Sequence, residues 1–89
     1  MQKESGLIMF YGTECVHCHL MDPLVKKLEQ ELKVKVERLE VWHNDANARL
    51  LQEMDNGKCG GVPFFFNKKT GDWICGEVGY ETFKKWATG

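Results

Sequence analysis

No apolar run in this 89-residue sequence approaches the roughly 20 residues that a membrane-spanning helix needs. The first six residues are polar and lack the apolar region of a signal peptide. The 12 lysines and arginines are scattered, and the net charge is −1, so no basic stripe indicates a nucleic-acid or membrane surface. These absences predict a cytoplasmic protein without nucleic-acid or membrane partners, unless the chain is an excised domain of a longer protein.

Cysteine and proline are also scarce, with four and two residues respectively. Four cysteines are too few for a disulfide scaffold. Only one pair has the Cys-x-x-Cys spacing, so the second ligand pair of a usual structural zinc site is missing. The hydrophobic fraction of 43% and the charged fraction of 28% are typical of a globular chain, and the length predicts one domain over residues 1–89.

The most informative segment is Gly12–His19, which contains the spaced pair Cys15 and Cys18. The apolar run Leu7–Tyr11 precedes it and a helical apolar pattern follows it, so we predict a buried strand that leads into a helix. The first turn of a helix has unpaired N–H groups and the positive end of the helix dipole, which stabilise a thiolate. We expect Cys15 to be an exposed nucleophile there, with Cys18 one turn later and within disulfide distance.

The remaining pattern predicts the element order βαβαββα. We expect a first helix over residues 15–33, capped by Thr13 and kinked at Pro23, and a second strand over residues 34–42. Asn44 or Asp45 caps a second helix. A strand starting at Pro63 and a strand over residues 73–78 form an antiparallel hairpin before a last helix. The first two strands must be parallel because a crossover helix joins them. The predicted helical core positions are Met21, Val25, Leu28, Leu32, Ala46, Leu50, Leu51, Met54, Phe83, Trp86 and Ala87.

This pattern resembles the thioredoxin-like superfamily over nearly the whole chain. The segment Cys15–Cys18 matches the family's redox motif, Pro23 its helix-kinking proline, and Val62-Pro63 its cis-proline. Gly71 and Gly79 match two glycines that follow that proline. The resemblance implies an α/β protein with a minimal thioredoxin fold, in which a four-stranded mixed sheet is flanked by three helices. The extra N-terminal strand and helix of full-length thioredoxins are missing, as in the short thioredoxin- and glutaredoxin-like domains.

The resemblance also implies thiol–disulfide exchange, with Cys15 as the nucleophile and Cys18 as the resolving thiol. Val62 would bind an extended substrate through its backbone. Pro63, Val16 and Trp42 complete the implied substrate site. The implied partners are protein disulfides or dithiols and a reductase or other electron donor. We expect a monomer with no cofactor beyond the redox-active disulfide and no metal.

Several positions depart from the family pattern. Met9 replaces a buried acid that assists proton transfer to the resolving thiol, and Trp73-Ile74 replaces the Gly-Gly pair of the glutaredoxin glutathione site. Glu14 replaces a tryptophan, and its carboxylate would disfavour a Cys15 thiolate. A protonated His17 would favour that thiolate, as in the disulfide-introducing oxidases of the superfamily. Glu14 and His17 are therefore opposing candidates for tuning the pKa of Cys15.

Other chemically active side chains have two interpretations each. Cys59 is either an extra redox thiol or an incidental one, and Cys75 is predicted to be a packing residue within a strand. Trp42 either lines the substrate face or belongs to the core, and His43 lies on the same rim. His19 is predicted to be a solvated surface residue.

Two functions from other classes remain open. A metal-binding module would hold zinc or copper with Cys15, Cys18 and His17 or His19, with Cys59 as a further candidate. A redox-inert domain would use the thioredoxin fold only for protein interaction. Stoichiometric metal after purification would favour the first, and a disulfide without exchange activity would favour the second.

Overall fold

The computed structural model describes residues 5–89. The polar N-terminal segment considered above lies largely outside the described residues, since residues 1–4 are not among them. The elements are β1 Leu7–Tyr11, α1 Val16–Leu32, β2 Glu37–Glu40, α2 Asp45–Asp55, β3 Phe64–Asn67, β4 Trp73–Cys75 and α3 Tyr80–Thr88. The predicted order βαβαββα is confirmed. None of these three helices has the length and apolar character that crossing a bilayer requires.

The strands form one mixed sheet in the order β2-β1-β3-β4. β1 is parallel to β2 and antiparallel to β3, and β3 is antiparallel to β4. β1 is central, and because side chains alternate along a strand, its apolar residues enter both faces of the sheet. This arrangement confirms the predicted minimal thioredoxin fold.

The sheet separates two apolar clusters. On one face, Met9 and Phe65 pack with buried residues of α1 and α3. On the other face, Phe10 and Phe64 pack against α2, whose apolar residues are only partly buried. The predicted core residue Ala46 is exposed, and Ala48 packs against this second cluster instead. The buried helical residues of the first cluster are Cys18, Met21, Val25, Leu28, Phe83 and Trp86.

Three local predictions need correction. The N-cap of α1 is Cys15 and not Thr13. β2 is shorter than predicted, and β4 ends at Cys75 instead of reaching residue 78.

Helix α1 continues through Pro23, whose missing N–H removes one backbone hydrogen bond without ending the helix.

Asn67 connects the β3–β4 hairpin to α3. Its side chain is buried, and its amide nitrogen donates a hydrogen bond to the carbonyl of Trp86 at 3.0 Å. Its side-chain oxygen accepts from the N–H of Lys69 at 2.9 Å, inside the turn. In return, the indole N–H of Trp86 donates to the carbonyl of Asp72 at 3.1 Å. The hairpin turn and the last helix therefore satisfy each other's buried polar groups.

Two leucines of α1 allow a matched test of the core. Leu28 is 0% exposed, whereas Leu20 is 52% exposed. We expect Leu28→Ala to lower the free energy of unfolding by about 2–5 kcal/mol, because it leaves a cavity in the core. Leu20→Ala should change it by no more than about 0.5 kcal/mol. Urea denaturation of both variants checks this, and equal losses would contradict the assignment of the buried face of α1.

Candidate functional site

The site is built around the start of α1. Cys15 has an extended backbone, and its sulfur accepts a hydrogen bond from the N–H of Cys18 at 3.1 Å. A tight turn precedes it, in which the Cys15 N–H donates to the carbonyl of Gly12 at 3.0 Å. Thr13 lies two residues before this cap position, and its N–H and hydroxyl both donate to the Glu40 carboxylate, at 2.9 and 3.0 Å. The sulfur of Cys15 thus occupies the cap position at the helix N-terminus.

Cys15 and Cys18 form a disulfide, with their Cα atoms 5.2 Å apart. Cys18 is 1% exposed and Cys15 only 6%, so the expectation of an exposed Cys15 was wrong. The segment before β3 contributes to the burial of Cys15, because the Cys15 sulfur lies 3.9 Å from the carbonyl oxygen of Val62.

The Val62–Pro63 peptide bond is cis, and Pro63 is buried. The carbonyl of Pro63 accepts a hydrogen bond from the N–H of Gly76 at 2.8 Å, just beyond the end of β4. The structure therefore brings three of the predicted site residues together: Cys15, Val62 and Pro63.

Two large apolar side chains are exposed on the rim of this site. Val16, inside the Cys-x-x-Cys motif, is 68% exposed, and Trp42 is 52% exposed, so Trp42 is not a core residue. The Trp42 ring lies against Gly12, because a Cβ atom at Gly12 would be 2.2 Å from a ring carbon. Glycine at this position lets the indole lie directly on the turn that leads to Cys15.

Each of the two predicted tuning residues has a partner of opposite charge. Both oxygens of Glu14 contact the Nε2 atom of His43, at 2.8 and 2.9 Å. This contact with Glu14 raises the pKa of His43, and the nearby Glu40 adds to the effect. His17 contacts Glu77 through Nδ1 at 3.1 Å. The charges expected to act on Cys15 are therefore engaged in two exposed ion pairs whenever the histidines are protonated.

His19 is exposed but not without partners. Its Nε2 atom lies 2.6 Å from the carbonyl of Thr13, and its Nδ1 atom lies 3.3 Å from Asp22. The Thr13 carbonyl, followed by Asp22, raises the pKa of His19. A small cavity of about 210 Å³ is lined by Tyr11, Cys18, His19, Asp22 and Arg38.

This cavity matters because the position of the family's buried acid holds a methionine in this chain. Met9, at the position of the family's buried acid, packs within the same apolar cluster as Cys18. The titratable side chains that line the cavity together with Cys18 are Tyr11, His19, Asp22 and Arg38.

The other two cysteines are also joined in a disulfide, with Cα atoms 5.4 Å apart. Cys59 is therefore not a free thiol, and Cys75 is exposed and not a packing residue. The sequence alone does not indicate this disulfide, because Cys59 and Cys75 are 16 residues apart. The pairing of β3 with β4 brings them together.

The proposed metal-ligand set is not assembled in residues 5–89. All four cysteines are in disulfides, and His17 and His19 face different partners. The cluster of ligand atoms found in this part of the chain consists of Glu14, Glu40 and His43. These groups are already bonded to one another or to the backbone of Thr13 and His43.

A cysteine pair at the first turn of the first helix, facing a cis-proline at the start of an adjoining strand, defines the thioredoxin-like class of proteins. The family model described as Thioredoxin matches residues 1–86, so the chain belongs to the thioredoxin family. Among solved structures, it is similar to a mutant of the thioredoxin-like protein BC3987, with a TM-score of 0.66 and 16% identity. That match covers 93% of this chain and 95% of the other. No curated protein matches the sequence.

The Glu14–His43 contact predicts a measurable titration. In Glu14→Gln, the pKa of His43 should fall toward its ordinary value of 6.5, because its main ionic partner is neutral. Since folding raises the pKa of His43, the pair stabilises the fold fully below the unfolded pKa, and this stabilisation is lost as pH rises through the folded pKa. NMR titration of the imidazole protons checks the shift. His19 serves as the internal control, and an unchanged His43 would show that Glu14 is not the cause.

Proposed function

We propose that this protein is a thiol–disulfide oxidoreductase that exchanges the Cys15–Cys18 pair with protein substrates. The observation that carries the proposal is the hydrogen bond from the Cys18 N–H to the Cys15 sulfur, at the N-terminus of α1. The same donor and the helix dipole would stabilise a Cys15 thiolate after reduction. Membership of the thioredoxin family supports redox chemistry in general.

In the reducing direction, the Cys15 thiolate attacks one sulfur of a substrate disulfide. A mixed disulfide forms, and the second substrate sulfur leaves as a thiolate. The Cys18 thiolate then attacks the Cys15 sulfur, which re-forms the Cys15–Cys18 disulfide and releases the first substrate thiolate. Two electrons pass to the substrate, and a reductase or other electron donor restores the dithiol. The oxidising direction is the reverse.

We further propose that the substrate is an extended segment with apolar side chains beside its cysteine. The backbone of Val62 lies next to the Cys15 sulfur and would pair with such a segment as an added strand. Pro63 fixes the start of β3 next to Val62, while Val16 and Trp42 offer exposed apolar surface. The rim also carries two ion pairs, Glu14 with His43 and His17 with Glu77, and Glu40 adds a second carboxylate beside His43.

We assign the proton route of the resolving thiol to the cavity between β1 and α1. Cys18 is buried, so its proton cannot leave directly to bulk water. The cavity connects it with Asp22 and His19, which contact each other. Asp22 would accept the proton through a water molecule and return it in the oxidising direction.

Neither the metal-binding nor the redox-inert alternative is favoured by the family or by the arrangement of the site. Neither alternative function would make chemical use of the Cys15 sulfur at the helix cap or of its position beside the Val62 carbonyl.

The cysteine roles are tested by single substitutions. Cys15→Ser should abolish reduction of insulin, because the attacking sulfur is lost. Cys18→Ser should accumulate a mixed disulfide with the substrate, visible as a covalent complex on a non-reducing gel. Full turnover by Cys18→Ser, or no activity in the unsubstituted protein with dithiothreitol as donor, would contradict the proposal.

The proton route is tested by isolating the resolving step. In Asp22→Asn, decay of a preformed mixed disulfide at Cys15 should slow by about 10²-fold or more, within the range typical of acid–base groups. The initial attack by Cys15 should keep its rate. Asp45→Asn, a change of the same kind at the exposed start of α2, is the matched control. Equal decay rates in both variants across the pH range would exclude Asp22 from the route.

A further inference from the structure

The Cys59–Cys75 disulfide ties a connecting segment to the edge of the sheet. Cys59 lies in the stretch 56–63 between α2 and β3, and Cys75 is the last residue of β4. β4 has only three residues and pairs on one side only, with β3. In the strand register, Cys75 lies opposite Phe64, directly after Pro63. The disulfide therefore spans the base of the segment that carries Val62 and Pro63.

The first half of this segment is held by Asp55, the last residue of α2. Its buried carboxylate accepts hydrogen bonds from the backbone N–H groups of Cys59 and Gly60. The far end is held by the hydrogen bond from the Gly76 N–H to the carbonyl of Pro63. The first anchor therefore reaches as far as the N–H of Gly60, and the second acts on the carbonyl of Pro63.

The middle of the segment is loosely packed. Apart from each glycine and its two chain neighbours, no atom of residues 5–89 lies within 4 Å of the position that a Cβ atom would take at Gly60 or at Gly61. Gly60 also has a φ of +81°, a conformation that glycine adopts without strain. Two glycines in open space form a natural hinge, and they stand directly between Cys59 and Val62.

Val62 connects this hinge to the redox site. Its carbonyl oxygen lies 3.9 Å from the Cys15 sulfur, and its side chain packs against both apolar clusters. A movement of the hinge would change the position of the backbone that faces Cys15. The covalent link between Cys59 and Cys75 limits that movement.

We propose that Cys59–Cys75 is a second redox site, which controls protein-substrate binding at the first. When the disulfide is intact, Val62 is held where an extended substrate segment pairs with it. When the disulfide is reduced, the segment 59–62 moves about the two glycines and pairing weakens. This inference rests on the proposed exchange function for its effect on turnover, but not for the chemistry of the second pair itself.

The chemistry requires an external dithiol as reductant. Cys75 is exposed and Cys59 is half-buried, so the reductant's thiolate attacks the Cys75 sulfur. The Cys59–Cys75 bond breaks, and Cys59 leaves as a thiolate that takes a proton from water. The reductant's second thiolate then attacks the mixed disulfide and releases Cys75. The dithiol is oxidised to a disulfide, and the protein disulfide gains two electrons and two protons.

The first experiment compares two substrates in the double variant Cys59→Ala/Cys75→Ala. Insulin should be reduced about tenfold more slowly, as expected when one or two pairing hydrogen bonds are lost. A small aromatic disulfide, which needs no strand pairing, should react within about twofold of the unsubstituted rate, a difference too small to reflect such a loss. Equal rates with insulin in both proteins would overturn the control role.

The second experiment examines the pair alone, in Cys15→Ser/Cys18→Ser. The variant is equilibrated in redox buffers of reduced and oxidised dithiothreitol, and free thiols are counted by alkylation and mass spectrometry. We expect reversible reduction of Cys59–Cys75, with faster amide hydrogen exchange at residues 60–62 and unchanged exchange in β1. The proposal fails if Cys59–Cys75 resists reduction in the folded protein. It also fails if reduction speeds amide hydrogen exchange throughout the protein, because the disulfide then only stabilises the fold.

Failure of the two proposals can be told apart. If the unsubstituted protein reduces neither insulin nor the small disulfide, the proposed function fails. Reversible reduction with local exchange at residues 60–62 would still establish the second redox site, because that readout requires no turnover.

Discussion

The burial of β1 on both faces is the constraint on which the rest of the structure depends. A strand with no exposed face must lie between two other strands and under helices on both sides. Its pairing with β2 and β3 fixes where its C-terminal end stops. There the chain turns at Gly12, and the first helix begins. The same pairing brings the start of β3, and hence Pro63, to this end of the sheet. The cysteines and the cis-proline meet because one central strand sets the position of both.

The fold was predictable because its signals are local. Apolar runs indicated β1 and β3, and the spacing of Met21, Val25 and Leu28 indicated the buried face of α1. The largely charged strand β2 was predicted with the wrong bounds. The contacts of the polar residues were not predictable, since they depend on residues distant in sequence. Thr13 has a side chain suited to capping, but Glu40, 27 residues away, binds it, and the sulfur of Cys15 takes the cap position.

The same limit applies to the electrostatics of the site. Sequence reasoning placed Glu14 and His17 beside Cys15 as an uncompensated pair of opposing charges. The fold brings His43 to Glu14 and Glu77 to His17, from separations of 29 and 60 residues. Such exposed pairs are weak individually and screened by salt. They do not make the rim neutral, because Glu40 adds a second carboxylate beside His43.

The buried amide of Asn67 has a consequence for how the molecule opens. A helix of nine residues such as α3 is too short to persist by itself in water. Its detachment would break the hydrogen bond that the Asn67 amide donates to the Trp86 carbonyl, at a cost of about 1 kcal/mol. The hairpin and the helix should therefore separate from the remaining structure as one cooperative unit. Because β3 belongs to that unit, partial unfolding at the C-terminal end would disassemble the cis-proline side of the site while the α1 side remained folded.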